Sequence, residues 1–131
     1  MKILVVEDEV ASMKFISHLM VKYGECDTAS DGIEAVRIFE VSLSSGPPYD
    51  LICMDIMMPE MDGHEALQKI RQLEELYSIP PKREVKVIMT TALDDPKNVM
   101  NALFKGGADE YLVKPITSAN VEEAMKKVKL L

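Results

Sequence analysis

The sequence predicts an open, doubly wound α/β fold, with a five-stranded parallel sheet and helices on both of its faces. Two observations lead to this fold class. Several short apolar runs lack polar alternation, which is typical of strands buried on both faces of a parallel sheet. Segments with the apolar period of a helix lie between these runs. Because 131 residues suit one domain, we expect residues 1–131 to form a single domain.

Five segments are the candidates for the strands. In chain order they are 3–6 (ILVV), a weaker run at 26–29 (CDTA), 51–54 (LICM), 85–89 (VKVIM) and 111–113 (YLV). Since strands and helical segments alternate, the connections are expected to be right-handed crossovers between parallel strands.

Four of the five helix candidates are defined by apolar residues at helical spacing. Helix by helix, these residues are Met13, Ile16 and Met20, widened by Phe15 and Leu19; Ile33, Val36 and Phe39; Leu67, Ile70 and Leu73; and Val121, Ala124, Met125 and Val128. Thr117 or Ser118 is expected to cap the last of these helices. The other candidate is a shorter helix at 96–104, the fourth in chain order, which Gly106 and Gly107 would end.

Composition argues against several functions. Fifteen Lys and Arg against twenty-two Asp and Glu give a net charge of −7, which disfavours nucleic acid and anionic membranes and favours cations or basic partners. Cys26 and Cys53 fit no zinc-site spacing and are interpreted as structural thiols. The sequence has no signal peptide and no apolar stretch of about 18 residues, so a cytoplasmic location is expected.

Charged and polar residues follow four of the predicted strands, namely Glu7, Asp8, Asp55, Thr90, Thr91 and Lys114. Ligands of open parallel sheets bind beyond the carboxyl ends of the strands, so these groups are expected to converge in one pocket. Clustered carboxylates repel one another unless a cation joins them, and a set of oxygen ligands fits Mg²⁺. A carboxylate beside Mg²⁺ can attack phosphorus, so the pattern suggests formation of an aspartyl phosphate.

Each of these residues has a plainer interpretation when it is taken singly. Asp8 could belong to a solvated helix start, and Asp55 or Thr91 could cap a helix. Lys114 could be a surface lysine. Their joint placement at successive strand ends favours the common site.

Four stretches at these strand ends carry a family resemblance. They are 3–9 (ILVVEDE), 50–63 (DLICMDIMMPEMDG), 87–92 (VIMTTA) and 107–115 (GADEYLVKP). Together they resemble the response-regulator receiver domain family, and the similarity covers nearly the whole chain. The resemblance implies a flavodoxin-like sheet with strand order 2-1-3-4-5. It also implies a phosphoprotein of a two-component system or phosphorelay.

The resemblance implies a role for each residue of the acidic pocket. Asp55 would accept the phosphoryl group. Mg²⁺ would be held by Glu7, Asp8, Asp55 itself and the backbone carbonyl of Met57. Residues 62–63 would form the turn before the third helix.

Three further residues have implied roles in binding and switching. Lys114 would bind a phosphoryl oxygen, Thr91 would move onto the phosphate, and Tyr111 would turn inward with it. Pro115 would follow a cis peptide bond.

The chain would not be an enzyme with turnover, since it would promote only its own phosphorylation and slow dephosphorylation.

Two apolar residues depart from the family pattern. Met57 and Leu93 lie two residues beyond Asp55 and Thr91, where the family orients the attacking water. We therefore predict that the phosphorylated form is long-lived.

The expected partners are a sensor histidine kinase or phosphotransfer protein and an unknown output protein. Because no DNA-binding segment follows Leu131, we expect a stand-alone regulator or phosphorelay shuttle, with an isolated receiver of a longer protein as the alternative. A homodimer through the fourth helix, the fifth strand and the fifth helix stays open, with candidate ion-pair residues Lys97, Asp109, Glu110 and Lys126.

Three other functions are weaker interpretations. An aspartyl-nucleophile phosphatase or mutase would carry a second Asp two positions after the nucleophile, where this chain has Met57. A pseudo-receiver that serves only for docking would have lost the acidic pair, the Asp or the Lys. A nucleotide-binding flavodoxin-like protein would need a Gly-rich loop after the first strand, and residues 7–12 (EDEVAS) contain no Gly.

Overall fold

Each predicted apolar run overlaps a strand of the structure, and Val85 alone, at the start of the fourth run, lies outside its strand. The computed structural model describes residues 1–91 and 107–131, so the predicted helix at 96–104 lies outside the described residues. Within these ranges, no helix has the length and apolar character needed to cross a bilayer. The elements in chain order are β1 (Lys2–Val6), α1 (Val10–Met20), β2 (Glu25–Ala29), α2 (Gly32–Ser45), β3 (Leu51–Asp55), α3 (Gly63–Leu76), a 3₁₀ turn (Pro81–Arg83), β4 (Lys86–Thr91), β5 (Glu110–Val113) and α4 (Ser118–Lys127).

The five strands form one parallel sheet in the order β2-β1-β3-β4-β5. This order confirms the doubly wound, flavodoxin-like fold class. The direction of travel across the sheet reverses between β1 and β3, which is the switch point where such folds bind ligands. Val6 lies in register with Met54, and Met54 with Met89, so the residues that follow β1 meet the end of β3 there.

The sheet is buried on both faces, which explains why its apolar runs lack polar alternation. One face, here called the α2/α3 face, packs on those helices and includes Leu4, Val6, Ile52, Met54, Met89, Phe39 and Ile70. The other, the α1/α4 face, includes Ile3, Val5, Cys53, Ile88, Leu112, Ile16 and Met125. Cys53 is a buried free thiol, as the structural interpretation predicts.

The buried stripes of α1 and α2 are narrower than the sequence pattern predicts. Ile16 and Met20 are buried, but Phe15 is 50% exposed. Adjacent helical residues differ in direction by about 100°, so Phe15 turns away from the face that Ile16 presents to the sheet. Ile33, in the first turn of α2, is also exposed. The placement of Phe15 and Ile33 in the buried stripes is therefore wrong.

Side-chain caps fix where α3 and α4 begin. Asp62 Oδ1 accepts a hydrogen bond from the backbone N–H of Glu65 at 2.9 Å, as expected of the turn before the third helix. Thr117 Oγ1 accepts from the N–H of Asn120 at 3.1 Å. Thr117 rather than Ser118 is therefore the cap of α4.

An ion-pair network built around the buried Glu74 joins α3 to the amino ends of β4 and β5. This network, here called the α3 clamp, consists of Arg71, Glu74 and Asp109. Glu74 Oε1 accepts from Arg71 Nη1 at 2.7 Å, and Glu74 Oε2 accepts from the backbone N–H of Val85 at 2.7 Å. Arg71 also donates to the carbonyl oxygens of Val85 at 2.9 Å and Gly107 at 2.8 Å. Val85 thus has both backbone groups bonded by side chains of α3.

Residues considered for inter-subunit ion pairs have partners within the chain. Asp109 Oδ2 lies 3.3 Å from Arg71 Nη2 and accepts from the backbone N–H of Val87 at 2.8 Å. Glu110 lies near Lys127, and Lys126 lies near Glu122. Lys97 lies outside the described residues.

Candidate functional site

Three carboxylates meet at the switch point between β1 and β3. Glu7 directly follows β1 and is 1% exposed, and Asp55 ends β3 and is 6% exposed. Asp8 is exposed at the mouth of the pocket, and one oxygen of each carboxylate lies within 4.8 Å of the others. The register of β1 on β3 produces this convergence, because it places the residue after Val6 beside Asp55.

Lys114 enters the same pocket from the end of β5. Its backbone N–H donates to the carbonyl of Thr91 at 2.7 Å, and the following Lys114–Pro115 bond is cis, as the resemblance implies. Lys114 Nζ lies 2.9 Å from Glu7 Oε1 and 3.6 Å from Asp55 Oδ2. One ammonium thus faces two nearly buried carboxylates.

The two oxygens of Asp55 have different surroundings. Oδ1 accepts a hydrogen bond from the backbone N–H of Met57 at 3.2 Å, while Oδ2 faces Lys114. Gly63 allows α3 to begin against this strand end. A Cβ at position 63 would lie 2.5 Å from the Asp55 carbonyl oxygen and 2.9 Å from the Cα of Ile56. Only a residue without a side chain fits there without displacing the backbone that carries Asp55.

Burial and charge shape the protonation of the pocket. Burial raises the pKa of Glu7 to about 7, the hydrogen bond from Lys114 opposes the rise, and the charge of Asp55 adds to it. Burial disfavours the charged form of Lys114, but its hydrogen bond to Glu7 and the charge of Asp55 outweigh burial and raise its pKa. Lys114 is therefore a cation at neutral pH. The pocket combines its single positive charge with three acidic side chains, so the pocket can bind a further cation.

The donor set of the pocket fits Mg²⁺. Glu7 Oε2 is buried and has no hydrogen-bond partner among the residues that the structure describes. A buried carboxylate oxygen without a partner is costly unless a ligand compensates it. The three carboxylates offer hard oxygen ligands, which Mg²⁺ prefers.

Thr91 and Tyr111 lie on strands next to the pocket. Thr91 is buried at the end of β4, in register with Val113, and Tyr111 of β5 lies in register with Met89. Tyr111 is half-buried and packs on the α2/α3 face of the sheet. The structure thus brings together Glu7, Asp8, Asp55 and Lys114, and it places Thr91 at the adjacent strand end. Leu93 lies outside the described residues.

Two further buried polar residues were given no role by the sequence prediction: Thr90, which was named only among the strand-end residues, and Glu74, which was missed. Thr90, in register with Asp55, is fully buried, and its hydroxyl has no hydrogen-bond partner in the described part of the chain. Glu74 lies four residues after Ile70, on the apolar stripe of α3. A carboxylate at a stripe position was the available signal that Glu74 is buried and has a cation nearby.

The fold and the pocket define a doubly wound α/β protein with an acidic ligand site at its switch point. The chain belongs to the response regulator receiver domain family, whose sequence model matches residues 3–126. It is thus a receiver domain of two-component signalling, as the sequence predicts.

Its curated relatives include proteins of very different lengths. Hybrid signal transduction histidine kinase L of Dictyostelium discoideum is 35% identical over 96% of this chain, which spans 7% of that relative. The probable transcriptional regulator ycf27 of Cyanophora paradoxa is 32% identical, and the chain spans 47% of it. Chemotaxis protein CheY of Treponema pallidum is 34% identical over 97% of this chain and 81% of the relative.

Solved structures show the same fold. The CheX–CheY–BeF3–Mg²⁺ complex from Borrelia burgdorferi matches with a TM-score of 0.80 and 30% identity, over 97% of this chain and 87% of that one. The receiver domain of sensor histidine kinase PA1611 from Pseudomonas aeruginosa, with a magnesium ion in its active site cleft, matches with a TM-score of 0.76 and 29% identity, over 97% and 96%. The receiver of Ssk1 from Saccharomyces cerevisiae, in complex with the phosphotransfer protein Ypd1, matches with a TM-score of 0.79 and 29% identity, over 96% and 87%.

Proposed function

We propose that the chain accepts a phosphoryl group on Asp55. One observation carries this proposal, which is the asymmetric environment of the Asp55 carboxylate. The backbone N–H of Met57 bonds Oδ1 at 3.2 Å, while Oδ2 lies 3.6 Å from the ammonium of Lys114. Oδ2 is therefore the oxygen best placed to act as a nucleophile, with a cation beside it to stabilise charge on a phosphoryl group.

In the transfer step, Asp55 Oδ2 attacks the phosphorus of a phosphohistidine. The O–P bond forms as the N–P bond breaks, and the imidazole leaves with the electron pair of that bond and takes up a proton. Lys114, which is bonded to Glu7 at 2.9 Å, shifts its ammonium to a phosphoryl oxygen. We class the chain as a signalling module that promotes only its own phosphorylation and slow dephosphorylation.

The proposal includes Mg²⁺ as cofactor. Glu7, Asp8, Asp55 and the backbone carbonyl of Met57 would hold it, and when bound it would neutralise charge on the phosphoryl oxygens. The clustering of the three carboxylates supports this assignment. So does the magnesium ion coordinated in the cleft of the similar PA1611 receiver.

A histidine kinase or phosphotransfer protein is the proposed donor. A groove of about 180 Å³, lined by Phe15, Ile16, Pro115 and Ile116, shares Lys114 with the acidic pocket. A donor protein that delivers phosphohistidine to Asp55 would cover the exposed ring of Phe15. The complexes of similar receivers with Ypd1 and CheX support a protein partner at this step. Homodimerisation and a cytoplasmic location stay predictions.

Switching is proposed to run through Thr91 and Tyr111. The phosphoryl oxygens would draw the Thr91 hydroxyl towards Asp55, and the Tyr111 ring would follow by turning inward. The phosphorylated state must differ in its contacts for the signal to be transmitted, since a ligand shifts only an equilibrium to which it binds unequally. If a Thr91→Ala variant kept partner binding fully dependent on phosphorylation, this route would be wrong.

Intact mass after incubation with acetyl phosphate tests the central proposal. We expect the gain of one phosphoryl group with Mg²⁺, and no gain with EDTA or in an Asp55→Asn variant. Asp50→Asn is the matched control, because Asp50 is exposed at the amino end of β3, and it should gain the group as the wild type does. No gain in folded wild-type protein would favour a docking module that never takes phosphate.

A further inference from the structure

Met57 is the most exposed methionine of the described chain. Its side chain is 65% exposed, whereas neighbouring Met58 is 8% exposed and Met54 is fully buried. Peroxides oxidise methionine in proportion to access, so exposure selects Met57 as the preferred target. Met57 also lies next to the proposed phosphorylation site, because its backbone N–H donates a hydrogen bond to Asp55 Oδ1 at 3.2 Å.

We propose that Met57 is a redox-sensitive modification site, and that its oxidation to the sulfoxide shortens the lifetime of the phosphoryl group on Asp55. The first part stands on the exposure of Met57 alone. The second part rests on the proposed function of Asp55. The modifying reagent is a hydroperoxide, such as hydrogen peroxide.

The oxidation step needs no other reactant. The Met57 sulfur attacks one oxygen of the peroxide, an S–O bond forms and the O–O bond breaks. The second oxygen leaves as hydroxide and takes up the proton of the transferred oxygen, which yields water. Sulfur is oxidised by two electrons, and the peroxide is reduced by two.

The sulfoxide changes the chemistry at the mouth of the pocket. The thioether is apolar and accepts hydrogen bonds weakly, whereas the sulfoxide is polar. Two residues from Asp55, the sulfoxide oxygen can hold a water molecule beside the phosphoryl group, which a thioether does only weakly. Reductases return the sulfoxide to methionine, so the change is reversible.

A peptide map after mild hydrogen peroxide treatment tests the site. We expect the peptide that contains Met57 to gain one oxygen well before those of Met20, Met89 and Met125, which are buried in the core. Fragmentation of the peptide separates Met57 from Met58. Oxidation of the buried methionines as fast as Met57 in folded protein would overturn the assignment.

Decay of the phosphorylated protein tests the consequence. After peroxide treatment and removal of excess oxidant, we expect the wild type to lose its phosphoryl group about threefold faster. This factor is much smaller than the acceleration that a positioned general base gives. Methionine sulfoxide reductase should restore the slow decay. In a Met57→Leu variant, peroxide treatment should leave the rate of phosphoryl loss unchanged from the variant's own rate before treatment.

The outcomes separate this proposal from the proposed function. An unchanged decay rate after complete oxidation of Met57 overturns the regulatory part, as does an equal acceleration in Met57→Leu. Failure of untreated protein to take up any phosphoryl group overturns the proposed function and, with it, the regulatory part. The peptide map still decides the modification site in that case.

Discussion

Glu7 and Glu74 are equally buried, at 1% exposure each, and each has a cation beside it. Their hydrogen bonding differs. Both oxygens of Glu74 are bonded at 2.7 Å, one by Arg71 and one by the N–H of Val85. Only one oxygen of Glu7 is bonded, by Lys114 at 2.9 Å, and Oε2 has no partner among the described residues. Among the residues that the structure describes, the α3 clamp bonds both oxygens of its glutamate, whereas the acidic pocket bonds one oxygen of Glu7.

This difference separates a buried carboxylate whose two oxygens are bonded by the protein from one with an oxygen that a cation could bind. A satisfied carboxylate is costly to remove, because its partners are then left buried without bonds. An unsatisfied carboxylate costs stability as it stands, and that cost is recovered when a cation binds. The same residue type thus has opposite expected effects when it is replaced at the two positions.

The largest expected effect is the loss of stability when the clamp is broken. Replacing Glu74 by alanine leaves the Val85 N–H without its acceptor and removes the buried carboxylate beside the Arg71 guanidinium, so we expect a loss of about 3 kcal/mol in the free energy of unfolding. Arg71 keeps its bonds to the carbonyl oxygens of Val85 and Gly107. Urea unfolding followed by circular dichroism measures it. Phosphoryl uptake per folded molecule should stay at the wild-type level, and its loss would show that the two regions are not independent.

Replacement of Glu7 by glutamine should reverse that pattern. Removal of a carboxylate with an unpartnered oxygen should change the free energy of unfolding by about 1 kcal/mol or less. Mg²⁺-dependent phosphorylation by acetyl phosphate should slow about tenfold, as is typical when a metal site loses a supporting group. A large loss of stability with normal phosphorylation would mean that Glu7 is structural, as Glu74 is.

A change at the mouth of the pocket should alter only the lifetime of the phosphorylated state. In a Met57→Asn variant, the amide can orient water beside Asp55, so we expect several-fold faster loss of the phosphoryl group and unchanged urea unfolding. Decay of the phosphorylated mass with time measures this effect. Equal decay in the variant and the wild type would count against the prediction that apolar Met57 prolongs the phosphorylated state.

The pH dependence of stability offers a smaller test of the clamp. Burial raises the pKa of Glu74, and the hydrogen bonds from Arg71 and Val85 oppose the rise without cancelling it. The folded state therefore holds its proton more tightly than the unfolded state, so the contribution of Glu74 to stability is greatest below its unfolded pKa and falls as pH rises through the folded value. The stability difference between wild type and Glu74→Gln should narrow from pH 4 to pH 8 in urea unfolding. A gap that widens with pH would contradict the direction of the shift.

The smallest effect is expected at an exposed ion pair, which serves as a reference. Lys126 and Glu122 lie 3.6 Å apart on the solvent side of α4, with more than half of each side chain exposed. Glu122→Gln should change the free energy of unfolding by about 0.5 kcal/mol at most. A shift as large as that of Glu74→Ala would mean that burial is not what distinguishes the clamp.

The acidic pocket was predictable because strand ends in a parallel sheet converge. Once 3–6 and 51–54 are assigned as strands, Glu7 and Asp55 must lie at the same edge, whatever the details of packing. The family resemblance added the roles of Thr91 and Tyr111, which no spacing in the sequence could supply. Sequence pattern and topology were sufficient here because the groups are carried by the regular backbone of strands.

The clamp was not predictable in the same way, because it depends on how far a side chain reaches. Arg71 bonds the carbonyl of Gly107, 36 residues away in the sequence, and only the packed position of α3 reveals that contact. The exposed ring of Phe15 has a similar cause, since the width of a buried stripe depends on the angle at which a helix meets the sheet. Of the three clamp residues, only Glu74 was indicated by the sequence, because it lies at a position of the apolar stripe of α3.

Strand alternation places the proposed reaction and the proposed readout in separate compartments of the core. The register pairs Cys53 with Ile88 and Asp55 with Thr90, and alternation along the strands places these residues on the side covered by α1 and α4. Tyr111 packs on the side of α2 and α3. Thr90 and Thr91 are consecutive, so their side chains leave β4 towards opposite compartments. A shift of one residue in the pairing of β4 would exchange these two hydroxyls between the sides. The pairing of β4 would therefore keep the proposed phosphorylation site and the proposed readout on opposite sides of the sheet. Thr90 and Thr91, one on each side, are joined by a single peptide bond.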